Sequence, residues 1–204
     1  MKTLKTKWTG IRPLVMGNPQ TIKLTSPFAI EGRRLSTAIK AARKKQDENK
    51  LIELETQMIR NDWESSAYFD PKRSQYYLPD TVIMACIRSG ATASKKGRDI
   101  DRAVIVSETE AYIEGVKAHR TLDAYFADPD FRLEIQVKIP PKTGSLVWKA
   151  RTMIPTGWTV TFSLDFDEDL MAQKSLVEAM ETAGRMCGVG GWRPKFGRFT
   201  VEIL

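Results

Sequence analysis

The sequence has few of the residues that build disulfide frameworks and metal centres. Its 204 residues include two cysteines, Cys86 and Cys187, and a single histidine, His119. Neither cysteine has a Cys or His partner at the spacing of a metal ligand, so we expect no disulfide scaffold, no metal and no cofactor. Free cysteines also fit a reducing compartment, which predicts a cytoplasmic protein.

Long hydrophobic runs are missing as well. No stretch approaches the roughly 18 apolar residues of a membrane-spanning helix, and the basic start of the chain lacks the apolar core of a signal peptide. We therefore expect neither export through a signal peptide nor a membrane partner. With 42% apolar and 28% charged residues, the composition is that of a globular protein, and the length predicts a single domain over residues 1–204.

Acidic residues are outnumbered by basic ones. The chain has 25 Asp and Glu against 32 Lys and Arg, which leaves a net charge of +7. Clustered cations are typical of proteins that bind nucleic-acid phosphates, whereas evenly spread cations indicate only a soluble basic surface. An acidic protein partner or a membrane surface is less supported, because neither terminus has an amphipathic helix.

The hydrophobic pattern predicts strands separated by helices. Strict alternation of apolar and polar residues at 131–139 and 158–166 predicts strands with one packed and one solvated face. Other strands are predicted at 4–16 with a bulge at Gly10, at 103–106 and at 199–203, with a hairpin at 68–78 and a turn at 140–144. Helices are predicted at 33–45, after an N-cap at Asp47, after Pro79, from Thr121 to Asp128 and from about Glu168 to Met186. This order of elements favours an α+β fold, an antiparallel sheet backed by helices.

Two segments concentrate the cations that could bind phosphates. Residues 88–102 contain five cations, two acids and no aromatic residue, which predicts a mobile basic loop. Residues 184–198 contain five glycines and four cations and no acid. Glycine lets the backbone approach a phosphate closely, arginine supplies forked donors, and the rings of Trp192 and Phe196 can stack on bases. A glycine C-cap and a tight turn into the last strand would account for one or two of these glycines.

The segments YLPDTVIMACIRSGA (77–91) and GVGGWRPKFGR (188–198) resemble two motifs of the RAMP superfamily, the helix entry and the C-terminal glycine-rich loop. The resemblance is best to the subunits that coat guide RNA in CRISPR effector complexes. Asp80 stands where that superfamily usually has glycine. The whole chain is also similar to a widespread set of bacteriophage proteins with an LVM-x-N start and an RP-x-FGRF end.

The resemblance implies a ferredoxin-like (RNA-recognition-type) sheet with a helical insertion at residues 33–66 and a β-hairpin or loop thumb. It implies that copies stack side by side along single-stranded DNA or RNA and hold its backbone, in the cytoplasm of a bacterial host. The residues expected to bind nucleic acid by this resemblance, by charge or by stacking are Arg88, Lys95, Lys96, Arg98, Gly190, Gly191, Trp192, Arg193, Lys195 and Arg198.

Two other functions compete with strand coating. A protein with this resemblance could mimic a CRISPR subunit and bind host effector subunits, or it could cleave RNA as some RAMP relatives do. Cleavage would need a residue such as His119, Asp99 or Asp101. We interpret His119 as a surface residue, and we interpret the two aspartates as residues that reduce the positive charge of the basic loop. The acids at 165–169 could hold a cation, although acids before a helix more often complement its dipole. We therefore expect a binding protein without catalytic residues.

Overall fold

The chain forms two compact units, as seen in a computed structural model that describes residues 1–139 and 145–204. Unit 1 combines three stretches, Met1–Val15, Tyr68–Leu122 and Ile154–Leu204, and unit 2 combines Met16–Ala67 with Asp123–Met153. The predicted turn at 140–144 lies outside the described residues. That the whole chain acts as one domain stays a prediction.

Helices occur together with strands that pair antiparallel, which confirms the α+β class. The strands are β1 (Lys2–Gly10), β2 (Leu14–Val15), β3 (Phe69–Asp70), β4 (Gln75–Pro79), β5 (Val104–Val106), β6 (Glu110–Glu114), β7 (Arg132–Ile139), β8 (Ser145–Ile154), β9 (Thr159–Phe166) and β10 (Phe199–Ile203). The helices are α1 (Pro27–Lys45), α2 (Glu48–Ser65), α3 (Asp80–Thr92), α4 (Gly97–Ala103), α5 (Leu122–Ala127) and α6 (Gln173–Thr182).

Unit 1 is built on one antiparallel sheet of seven strands. Its order is β10-β1-β9-β6-β4-β3, and β5 also pairs with β9. Alternation buries one face: Trp8 of β1 stacks on Phe199 at 4.0 Å between ring centroids and meets Phe162 edge-on at 4.9 Å. The sheet therefore has the packed and solvated faces that the alternating pattern predicts.

Helices α3 and α6 of unit 1 pack closely because a glycine stands at their contact. A Cβ built on Gly90 of α3 would lie 2.1 Å from the carbonyl oxygen of Ala179 in α6. Only a residue without a side chain fits there, so Gly90 determines how near α3 comes to α6. This contact positions the exposed side of α3, which includes Arg88.

Unit 2 contains a helical hairpin and a β-hairpin. The carboxylate of Asp47 accepts a hydrogen bond from the Lys50 amide at 3.0 Å, which confirms the predicted N-cap of α2. Strands β7 and β8 pair antiparallel. The indole of the fully buried Trp63 donates to the Phe131 carbonyl at 2.8 Å, so α2 is fixed to the chain segment that enters β7. The helical insertion begins at Pro27, before the predicted residue 33.

Three local predictions were wrong. Residues 88–102 are not a mobile loop: α3 continues to Thr92, α4 follows at Gly97–Ala103, and Ile100 is fully buried. The helix expected from Glu168 starts at Gln173 and gives way to a π-helical turn at Ala183–Cys187. The first strand ends at Gly10 and does not reach Met16. A single buried isoleucine in a polar stretch gave too little pattern to predict α4.

Candidate nucleic-acid interface

Arg88 lies on the exposed side of α3. Ile83, Cys86, Ile87 and Gly90 form the buried stripe of this helix, as their spacing predicted. Pro79 occupies the N-cap position, and Asp80 lies in the first turn, where its carboxylate accepts from the Thr81 amide at 2.6 Å. Asp80 is thus the first helical residue and not the N-cap.

The glycines of residues 184–198 hold the loop against the start of the chain. Gly190 and Gly197 have φ angles of +81° and +71°. A Cβ on Gly190 would lie 2.5 Å from the Val15 carbonyl oxygen, and a Cβ on Gly197 would lie 1.8 Å from the Val189 carbonyl oxygen. The amide of Gly191 donates to Val15 at 2.7 Å, and the amide of Gly197 donates to Pro13 at 2.7 Å. The amide of Gly191 is therefore used inside the protein, and the loop is held in one shape that presents its cations.

Arg88 and Arg193 line the same groove, so the structure brings together one cation from each predicted segment. This groove, which we call the α3 groove, has a volume of about 520 Å³. Its lining residues are Thr81, Met84, Ala85, Arg88, Ser89, Thr92, Asp101 and Arg193. The two guanidinium groups and the Thr81 hydroxyl can donate to phosphate oxygens there, whereas the hydroxyls of Ser89 and Thr92 donate to the carbonyls of Ala85 and Arg88 at 2.7 and 2.9 Å. Asp101 is the one carboxylate among these lining residues.

Lys195 and Arg198 line a second groove together with Arg12. This loop groove measures about 500 Å³, and Pro13, Pro194 and Phe196 complete its walls. The Arg198 Nε donates to the Pro194 carbonyl at 2.9 Å, and the Lys195 ammonium lies 5.4 Å from the centre of the Phe196 ring. These lining residues include three cations and no carboxylate, so the groove attracts anions.

The remaining predicted residues lie around these grooves in different settings. Lys95 is exposed in the turn between α3 and α4, and Arg98 is exposed in the first turn of α4. Lys96 points to α6, where its Nζ donates to Ser175 Oγ at 2.8 Å. Trp192 is 38% exposed and its ring centre lies 6.5 Å from that of Phe196, which leaves part of the indole accessible for stacking.

The residues considered for cleavage have structural partners or lie exposed. Asp101 forms an ion pair with Arg88 at 3.2 Å. His119 is exposed, and its Nδ1 lies 3.4 Å from the carbonyl oxygen of Arg73. The acids at 165–169 lie in β9 and in the connection to α6, not at a helix start. Within residues 1–139 and 145–204, no group of three Cys, His, Asp or Glu side chains could hold a metal ion. Among these residues, no helix is long and apolar enough to cross a membrane.

Cys86 connects α3 to the glycine-rich loop from the inside. Its Sγ donates to the Gly188 carbonyl at 3.4 Å. Burial raises the pKa of the Cys86 thiol to about 12, against the opposing effect of the nearby Arg193 charge. This cysteine is a neutral core residue that holds the loop under Arg193.

Arg12 was missed by sequence reasoning, although it shares the loop groove with two predicted residues. The signal was weak: a single arginine before Pro13, which the strand pattern included in a longer first strand. The hydroxyl of Thr81 was also missed, because nothing in the sequence separates this residue from ordinary helix-surface residues.

The fold is similar to that of a chain in a solved complex. A chain in a cryo-EM structure of the type III-B Cmr-beta bound to cognate target RNA matches all of this chain with a TM-score of 0.57 and 15% sequence identity. The likeness is one of fold. This chain spans 61% of the length of that chain. No family model matches the sequence, and no curated protein matches it either.

Proposed function

We propose that this protein binds single-stranded nucleic acid through its backbone, without reading its sequence. The observation that carries the proposal is that Arg193 and Pro194, adjacent in the chain, line the α3 groove and the loop groove respectively. Because neighbouring residues line the two grooves, we propose that one strand meets Arg88 and Arg193 in the α3 groove and the cations of the loop groove next to it.

The chemistry of the grooves favours phosphates over bases. Apart from the carboxylate of Asp101, which pairs with Arg88, their charged groups are guanidinium and ammonium donors, which bind phosphate oxygens without reading sequence. Trp192 and Phe196 add aromatic surface on which a base of any kind can stack. Lys95, Lys96 and Arg98 raise the positive potential nearby. Gly190 and Gly191 contribute through the shape of the loop, since their contacts with Val15 hold it where Arg193 lines the α3 groove.

The RNA in the Cmr-beta structure supports nucleic acid as the ligand of this fold. We propose that several copies coat one strand side by side, in a bacterial cell infected by a phage, as the resemblance to phage proteins implies. The proposal contains no catalytic step, and it covers DNA and RNA alike because backbone contacts are shared by both.

The test is fluorescence anisotropy with labelled single-stranded DNA and RNA of mixed sequence, titrated at several salt concentrations. If about five cations meet phosphates, log K falls against log salt with a slope of about −3.5. The Arg193→Ala/Arg198→Ala variant should bind several-fold more weakly and lower the slope to about −2.1, since each contact contributes about 0.7. A matched control, Arg34→Ala/Arg43→Ala, removes the same charge from two arginines of α1 that form ion pairs with Glu31 and Glu55. Absence of binding at low salt, or equal loss in both variants, would overturn the proposal.

The likeness to the Cmr-beta chain favours one second candidate: the protein binds CRISPR effector subunits of the host by imitating one of them. The test is affinity purification of the tagged protein from cells that carry an effector complex, with nuclease treatment before elution. Retention of effector subunits after nuclease treatment supports this candidate, and their loss together with the nucleic acid supports strand binding.

A further inference from the structure

A groove in unit 2 has an apolar floor and basic walls. It lies between α1, α2 and the middle of β8, and its volume is about 410 Å³. We call it the helical groove. Leu24, Phe28, Ala29 and Met58 supply its apolar surface, and the side chain of Leu24 at its mouth leaves that residue 70% exposed.

Two of the charged residues that line the helical groove, Arg33 and Arg151, are available to bind an incoming group. Asp62, only 6% exposed, is neutralised by Lys149, whose Nζ donates to both carboxylate oxygens at 2.8 and 2.9 Å. Arg33 and Arg151 also line the groove, and Arg33 is held at the mouth by a 2.8 Å hydrogen bond to the Leu24 carbonyl. The groove therefore suits an occupant with carboxylates next to an apolar side chain. Its apolar surface is mainly aliphatic, which favours a leucine over a nucleobase.

A segment of the same chain has this chemistry. Residues 167–170, Asp-Glu-Asp-Leu, connect β9 to α6 in unit 1, and we call them the acidic loop. Glu168 is partly exposed in an ion pair with Lys2, Asp169 is exposed, and Leu170 is 59% exposed although it is a large apolar residue. The carboxylate of Asp167 accepts from the Asp169 amide at 3.0 Å, which fixes the turn that presents Leu170.

We propose that the helical groove of one copy receives the acidic loop of the next copy, with Leu170 on the apolar floor and Asp169 facing Arg33 and Arg151. The proposal deepens the strand-coating function, on which its biological role rests. Because groove and loop are different surfaces of the same chain, the contact is heterologous and can repeat from copy to copy. A contact between one groove and one short loop is small and therefore weak on its own. A nucleic-acid strand that binds several copies would raise their effective concentration and so strengthen the contact.

The test is sedimentation velocity of the protein without nucleic acid, at low salt and over a range of protein concentrations. The wild type should sediment faster as its concentration rises. A groove variant, Arg33→Glu/Arg151→Glu, and a loop variant, Glu168→Lys/Asp169→Lys, should each stay at the monomer value. An equimolar mixture of the two should recover association, since reversed charges complement each other. Unchanged melting temperatures exclude unfolding as the cause, and Leu170→Ser provides a milder variant should a charge reversal fail to fold.

Each other outcome contradicts the proposal in a distinct way. A wild type that remains monomeric at every concentration, or a mixture that does not associate, overturns the contact. If the groove variant loses affinity for oligonucleotides but associates normally, the helical groove binds nucleic acid and not a second copy. Loss of strand binding in the wild type would instead contradict the proposed function, and sedimentation without nucleic acid is independent of that result.

Discussion

The Nε of Arg88 lies 3.2 Å from Oδ2 of Asp101, so a carboxylate of α4 forms an ion pair with one of the two cations that line the α3 groove. Both side chains are partly exposed, at 58% and 44%, and both line the groove. A phosphate that binds Arg88 must compete with Asp101. The ion pair holds the guanidinium at the groove and at the same time lowers its availability.

The first prediction concerns this competition. Asp101→Asn should tighten binding of single-stranded oligonucleotides by roughly two- to five-fold, because an exposed ion pair is worth up to about 1 kcal/mol. Anisotropy at low salt measures the change. Asp99→Asn is the matched control, since it removes the same charge from the same helix without touching the ion pair. Equal gains in both variants would mean that only net charge matters.

The second prediction concerns Arg12, which no pattern in the sequence singled out. Arg12→Ala should weaken strand binding and reduce the magnitude of the salt slope by about 0.7, since one phosphate contact is lost. Arg185, exposed in the π-helical turn of the same unit and not among the lining residues of either groove, provides the control. If Arg185→Ala has the same effect as Arg12→Ala, the loop groove does not hold the strand.

The elements that could be predicted are those whose buried face repeats in the sequence. The alternation of 158–166 gave β9, and the apolar stripe of α3 gave a helix with Arg88 outside. Burial of α4 could not be predicted, because Ile100 is its one large apolar residue in a polar stretch. The short strand β6 was missed because Ala111 and Ile113 are too few to establish a pattern.

The candidate interface was partly predictable for the same reason. Arginines clustered in the glycine-rich loop were visible in the sequence, and so was Arg88 beside a buried stripe. Arg12 joins them from the opposite end of the sequence, through the hydrogen bonds of the Arg198 carbonyl with the amides of Ile11 and Arg12 at 2.9 and 3.2 Å. Only the folded chain creates that neighbourhood.

The third prediction tests the contact between α3 and α6. Gly90→Ala would place a methyl group 2.1 Å from the Ala179 carbonyl, so the helices must separate. We expect a loss of about 1–3 kcal/mol in the free energy of unfolding, as overpacked cores show. Gly17→Ala is the control, because a Cβ there meets nothing within 4 Å. Urea unfolding followed by circular dichroism compares the two, and equal stabilities would contradict the close packing.

The fourth prediction separates the two cysteines. Burial raises the pKa of Cys86 to about 12, whereas Cys187 is only partly buried. Because the thiolate is the reactive form, iodoacetamide at pH 8 should label Cys187 in the folded protein and leave Cys86 unmodified until denaturant is added. Mass spectrometry of the labelled peptides gives the labelling rate of each cysteine, and Cys187→Ser should abolish the faster labelling reaction.

The same burial predicts how stability depends on pH. The thiol of Cys86 ionises near pH 9 in the unfolded chain, so the contribution of Cys86 to stability should fall as the pH rises from 9 towards 12. Rapid labelling of Cys86 in the native state would show that the glycine-rich loop opens away from α3, and the rigid presentation of Arg193 would then be wrong.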